Sequence, residues 1–430
     1  MRKSVLAAVL VTVGCSAWAE TSITDVIARQ RWPWNGVVDI DYTLSGEASD
    51  VKFMATWEGQ AEPTDITRDV QGLINMVECG AHHAVWDPSS VANGELRGVS
   101  VSIVPVDGNV ERKYLVIDLM NGGYEFMSSV PEGGWDETYR KTKMAFVRIP
   151  AATYNVGLTE EQMNAVWPDG GKYADFQSPN IRAAKARQVK ISNAYYMSVY
   201  MFTVANNYAV NGVVSGTAIP QYATTDTIRG VLEDACWPQM GHKVAEKTSV
   251  IGKIRAKARL PKGWLVDLPT ATQFEIAARC GMSSPFPTDA ISAESTEDEV
   301  LAYVNSIAWW KRHQPVDNGY AQNTDAPVGV LAPNPWGLYD MIGFRSQLTL
   351  DWNNGSYERS DYSVDPVGPL SSGDNNRMVR SIDTNPANTV TFAQLFPSRG
   401  GSYVKQTNTS CFRLCVDTRS LIETTSDEIK

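Results

Sequence analysis

The chain has 430 residues, 43% of them hydrophobic and 10% aromatic. That length exceeds one compact core, and that composition excludes a disordered, collagen-like or low-complexity chain. A net charge of −10 repels phosphate backbones and argues against nucleic-acid binding.

Residues 1–19 read as a secretory signal peptide. Arg2 and Lys3 form a basic start, 5–13 is a short apolar run, and Ala17-Trp18-Ala19 is a small-x-small cleavage site that leaves Glu20 first. The run is too short to cross a bilayer, and no later apolar stretch is long enough to span one. A lipoprotein signal at Cys15, preceded by Gly14, is the alternative, but Thr12 stands where such signals usually carry Leu. Cleavage leaves 36 basic against 48 acidic residues, a net −12. The expected destination is outside the cytoplasm: periplasm, cell surface or medium. Five cysteines then remain, Cys79, Cys236, Cys280, Cys411 and Cys415, and an odd number leaves one thiol unpaired or paired between chains. On a single strand the Cα atoms of Cys411 and Cys415 would lie ~13 Å apart, too far for a mutual disulfide.

Residues 20–140 read as an immunoglobulin-like β-sandwich. The runs 37–44, 52–58, 81–87, 98–106 and 113–119 are strand-length, mostly alternating, and bounded by Gly, Pro, Asn or Asp. His82 and His83 are adjacent, so on a strand they point to opposite faces and make a poor pair of ligands. Residues 121–143 are rich in Gly, Pro and charge, as a linker or an edge hairpin would be, and the boundary is placed near 140. The whole is therefore of α+β class, with an irregular domain over 144–417 and a tail at 418–430. Helices are predicted after Thr159, over 202–212 with Gly212 as the stop, and after Thr270, with Gln273 completing a capping box and Gly281 ending it. Phe274, Ala277 and Ala278 would pack on one face of the last. After 285 the sequence predicts short strands, long loops and few helices.

This second region resembles the formylglycine-generating enzyme, or sulfatase-modifying factor, superfamily. MAFVRIPAATYNVG (144–157), VKISNAYYMSVYMFTVANNYAV (189–210), LPTATQFEIAARCG (268–281), APVGVLAPNPWGLYDMIG (326–343), DPVGP (365–369), NRMVR (376–380) and CFRLCVD (411–417) follow its anchors in order. NPWGLYDM is the most specific, with Gly337 permitting a tight turn while Trp336, Leu338 and Met341 enter the core. The resemblance implies a variant of the C-type lectin fold. It does not by itself imply chemistry.

Active members of that superfamily hold copper on two cysteines just after an Arg-Gly-Gly-Ser segment. The matching stretch here, 380–405, contains no Cys, and Ser381 and Ile382 replace the paired glycines. Soft thiolates select Cu(I), and Asn, Thr or Ser cannot replace them. Cys411 and Cys415 lie past that segment and read as small core residues, with a displaced copper pair as the alternative. The family's calcium motif is damaged too. In GFRSQL (343–348), Phe344 takes the Asn position and Gln347 the Glu position, which removes the carboxylate and an amide oxygen. A second calcium site would draw on Asn305 and Asp317. Iron chemistry in relatives relies on a His-rich domain that this chain, with four His, does not supply. Candidates for binding a peptide or glycan are Trp309 and Trp310, Arg345, Asp351 and Trp352, and Arg380 and Arg399. Core packing is the competing reading for the tryptophans. The expectation is an exported, non-catalytic binding or surface-assembly module. The alternative is a divergent oxidoreductase of the formylglycine-generating type that acts on protein cysteine. A structural part in a cell-envelope complex, with another protein as ligand, is the third reading.

Overall fold

The computed structural model describes residues 21–418 except 34, 76, 92–93, 166–184, 231–244, 262–263, 293, 310–325, 353–362, 368–375, 382–396, 398–399 and 405–409. The expected signal peptide and the tail from 419 lie outside the described residues. The chain divides into two compact units, Met1–Val70 with Met76–Val106, and Gln71–Asn75 with Asp107–Lys430.

The first unit is built from strand alternation. Ser22–Gln30, Val38–Ser45 and Gly80–Trp86 lie side by side and antiparallel. Asp50–Thr56 sits between Thr64–Asp65 and Ser100–Val106 in a second sheet. Val38, Ile40, Tyr42 and Leu44 are buried while the residues between them face outward. Tyr42 meets Phe53 edge-on at 5.8 Å between ring centroids, which joins one sheet to the other. His82 packs its ring against Tyr42, and His83 points the other way, toward Asp41 at 2.7 Å. The strand Ser22–Gln30 is an addition to the sequence reading. It carries a register shift between Thr24 and Ile27 and no fully buried residue, so its alternation is weak.

The second unit begins earlier than the composition shift near 140. Tyr114–Asp118 pairs with Lys143–Ile149, from Lys143 opposite Asp118 to Val147 opposite Tyr114. The order across that antiparallel six-stranded sheet is Leu265–Asp267, Cys415–Asp417, Tyr195–Ser198, Lys143–Ile149, Tyr114–Asp118, Tyr124–Met127. The run YLVID is buried at four consecutive positions rather than alternately, the mark of a strand covered on both faces. The Gly-rich segment after it is an edge hairpin, followed by a short helix, Glu137–Lys141, capped by Asp136.

All three anticipated helices form. Thr159, Thr203 and Thr270 cap Glu160–Asn164, Val204–Val210 and Ala271–Ala278 in capping boxes. The third differs from its predicted amphipathic form: all eight of its residues are buried. Among the helices that were not anticipated, two are the longest of the described residues. Val250–Ala258 starts at a Ser249 cap, and Glu297–Ile307 starts at a Thr296–Glu299 capping box and buries Val300, Val304 and Ile307. Its signal, a capped acidic first turn with apolar residues at i, i+4 and i+7, was present in a stretch read as loop. Among the described residues no helix is long and apolar enough to cross a membrane.

In NPWGLYDM the backbone turns at Gly337, φ +82°. Asn334 Oδ1 accepts from the N–H groups of Trp336 and Leu338, and Leu338 and Met341 enter the core with Trp336 half-buried against it.

Candidate functional site

The buried helix Ala271–Ala278 packs against the strands Gln347–Trp352 and Asn376–Arg380 and places charge in the interior. Glu275 is its centre. One carboxylate oxygen takes Arg279 Nη1 at 2.8 Å and the Gly157 N–H at 2.7 Å, and the other meets Arg380 Nη2 at 3.3 Å. Arg279 and Glu275 are spaced i, i+4 on one helix, so the helix itself aligns them. Arg279 also donates to the carbonyls of Gly157, Ser283 and Ser284, and Arg380 to that of Pro397 at 3.0 Å. An Arg–carboxylate–Arg triad of this burial holds only while every member is present.

Asp351 lies at the N-terminus of the same helix and accepts the Ala271 N–H at 2.6 Å. Burial pushes its carboxyl up to about 6, against the pull of that hydrogen bond and of Arg380 and Arg377. Arg377 lays its guanidinium 3.5 Å from the Trp352 ring centroid and donates to Leu350 O at 2.6 Å. Ser381 follows Arg380 with φ +58° and donates its hydroxyl to Gly343 O.

Four of the predicted binding residues are thus interior groups. Arg380, Asp351 and Trp352 belong to this cluster, and Arg345 is buried with its guanidinium over the rings of Tyr222 and Phe344. Trp309 lies on a two-residue strand parallel to Ile342–Gly343. Trp310, Arg399 and Asp317 lie outside the described residues, and Asn305 is half-buried on the helix Glu297–Ile307. The sequence reading missed Glu275, Arg279, Arg377 and Arg413. Their signal was charge at fixed spacing inside otherwise apolar anchors.

The thiols do not fit a copper pair. Cys411 and Cys415 are fully buried in the core. They stand on strands of two different sheets, one paired to Gln347–Trp352 and one to Tyr195–Ser198 and Leu265–Asp267. Cys415 faces Gln273 at 3.9 Å. A copper centre that oxidises a substrate must meet that substrate, so no step is routed through these two residues. Cys280 is also buried, and its thiol is pushed up to about 12. Cys79 and Cys280 are free thiols, and Cys236 lies outside the described residues.

Asp351 and Glu275 could serve as acid and base only if a substrate proton came within hydrogen-bond reach. Glu275 has its oxygens on the Gly157 N–H and two guanidinium groups, and Asp351 accepts the Ala271 N–H, both inside the fold. The arrangement is a rigid charged frame, and its two strands lead in sequence directly into 353–362 and 382–396, which lie outside the described residues.

The model of the sulfatase-modifying factor enzyme 1-like domain matches residues 136–421. The chain belongs to that family. The family anchors include the helix Ala271–Ala278 and the strand Asn376–Arg380 of that charged frame, and the strand Gln347–Trp352 falls between two of them. No curated protein matches the chain. Among solved structures it is similar to PvdO from Pseudomonas aeruginosa, at 15% identity over 64% of this chain and 94% of that one, with a TM-score of 0.42.

Proposed function

We propose that this family member is an exported, non-catalytic module that binds a peptide or glycan, or serves surface assembly, on a C-type-lectin-like domain. The observation that carries this reading is the absence of any Cys in 380–405, together with the full burial of the two downstream thiols. The family's anchors persist where its copper ligands do not. Sequence 1–19 supports export. In this reading Trp309, Trp310 and Arg399 contact the ligand, and Arg345, Asp351, Trp352 and Arg380 hold the frame beneath it.

The test is mass spectrometry of a sulfatase-type Cys peptide incubated with the mature protein, Cu(I), reductant and oxygen. A Cys411→Ala/Cys415→Ala variant runs alongside. No formylglycine is expected from either. Conversion by the wild type that the double variant loses would restore the alternative of a divergent oxidoreductase. A glycan and peptide array then reads binding, with loss in Trp309→Ala/Trp310→Ala as the expected result.

A further inference from the structure

The turn 339–347 is the place where the family's calcium motif would sit, and it is occupied by the protein's own groups. Gln347 is fully buried and uses both ends of its amide. Its Nε2 donates to Asp340 O at 2.9 Å, and its Oε1 accepts Arg413 Nε at 2.7 Å. Arg413, also fully buried, donates Nη1 to Ser198 O at 2.9 Å. Its Nη2 donates to Tyr339 O at 2.7 Å and Asp340 O at 3.3 Å. Gly343 O accepts from Ser381 Oγ and from the Arg345 N–H at 2.9 Å.

The oxygens a cation would recruit here are the carbonyls of Tyr339, Asp340 and Gly343 and the side-chain oxygen of 347. Each already accepts a hydrogen bond from nitrogen or hydroxyl. The Phe344 side chain contributes no oxygen, and the residue keeps a left-handed backbone, φ +67°, that Asn adopts at lower cost. Asp340 Oδ2 accepts the Gly329 N–H at 2.7 Å, which leaves Oδ1 as a buried oxygen with no hydrogen-bond partner. One free oxygen is far short of the six to eight that calcium takes. The charge at the centre is a guanidinium, which repels a divalent ion in a poorly screened interior. Among the described residues no group of three or more His, Cys, Asp or Glu is placed to hold a metal.

We propose that the Gln347–Arg413 clasp holds this turn without calcium, tying it to the strands Tyr195–Ser198 and Cys411–Phe412. The Gln at 347 is matched to this task at the level of atoms. A Glu at 347 could accept from Arg413, but it could not donate to the Asp340 carbonyl, whereas Gln does both.

The test is hydrogen exchange on the full chain, read over 338–350 and 411–417 in excess chelator and in millimolar calcium, with magnesium as control. Exchange in these segments is expected to be the same in all three. Slower exchange there in calcium overturns the proposal. A calcium effect confined to other segments leaves the turn ion-independent, as proposed. Gln347→Met keeps the length and loses both hydrogen bonds, so exchange over 338–350 should rise roughly 10- to 100-fold. Exchange unchanged in that variant overturns the role of the clasp. Should Gln347→Met not fold, Gln347→Glu keeps the Arg413 contact, and a smaller rise confined to the 338–350 segment is expected. No rise in that variant would equally overturn the role.

Discussion

The two units hold their shape by different means. In the first, backbone groups pair with one another along strands and the interior is aliphatic and aromatic. Among the described residues no arginine is buried there, and Arg31 meets Asp39 at the surface. In the second, eight of the described arginines are buried: Arg112, Arg148, Arg229, Arg279, Arg345, Arg377, Arg380 and Arg413. Their donors go largely to main-chain carbonyls of turns and loops, such as Gly157, Ser283, Ser284, Tyr339 and Pro397. An irregular chain leaves carbonyls that no ladder satisfies, and a buried carbonyl without a partner is costly. A guanidinium supplies five donors in one plane, so a single Arg can close several loops at once. The irregularity of the second unit and its buried charge are one design.

Removing a guanidinium should therefore show the largest effect. Arg413→Met leaves the Ser198 and Tyr339 carbonyls and Gln347 Oε1 without their donor, and it is expected to cost about 3–5 kcal/mol in urea unfolding. Arg31→Met, at an exposed pair, should not shift the curve measurably. Equal effects at the two positions would break the comparison.

In the first unit the sensitive positions should be apolar. Leu44 is fully buried on an alternating strand, and Leu44→Ala should cost about 3 kcal/mol through lost transfer energy and a cavity. A loss below 1 kcal/mol, the cost of a surface change, would mean that this sheet does not depend on its buried face.

Buried acids sharpen the contrast through pH. Asp351 and Asp340 in the second unit are both pushed up to about 6, chiefly by burial. A carboxyl raised above its unfolded value gives stability that is fully present below about pH 4 and is lost as pH rises through about 6. Each accounts for on the order of 3 kcal/mol across that window. Asp351→Asn can still accept the Ala271 N–H, so it should remove about half of the slope between pH 4 and 6 and leave the fold in place. An unchanged slope would show that Asp351 does not titrate in that range.

Much of this frame was legible in the sequence, and what was not has a common cause. Thr159, Thr270, Gln273 and Gly337 act locally, through caps and a turn, so residue type and spacing were enough. The assignment of 113–119 to the second unit was not readable, because its partner strand lies across a hairpin and a helix and only pairing decides it. The helix Ala271–Ala278 was read as amphipathic from Phe274, Ala277 and Ala278. Its polar residues Gln273 and Glu275 are buried because distant groups meet their side chains, Cys415 at Gln273 Oε1, and Gly157 and Arg380 at the Glu275 carboxylate. The residues named for ligand contact were chosen by type, Arg and Trp. A sequence does not distinguish an Arg that meets a ligand from one that closes a loop.

Backbone strain follows the same division and gives the smallest expected effect. Among the described residues the first unit has one non-glycine with positive φ, Asp25. The second has six: Arg259, Cys280, Asp340, Phe344, Asp365 and Ser381. At Ser381 the family carries Gly, for which φ +58° costs nothing. Serine there bears a penalty of about 1 kcal/mol, offset by the hydrogen bond from its Oγ to Gly343 O, worth about 1 kcal/mol. Ser381→Gly removes both terms and should change stability by less than about 0.5 kcal/mol. Ser381→Ala keeps the penalty and loses the bond, so it should destabilise by about 1 kcal/mol. If Ser381→Ala and the wild type unfold at the same denaturant concentration, the hydroxyl contributes nothing, and the left-handed serine is strain that the rest of the unit absorbs.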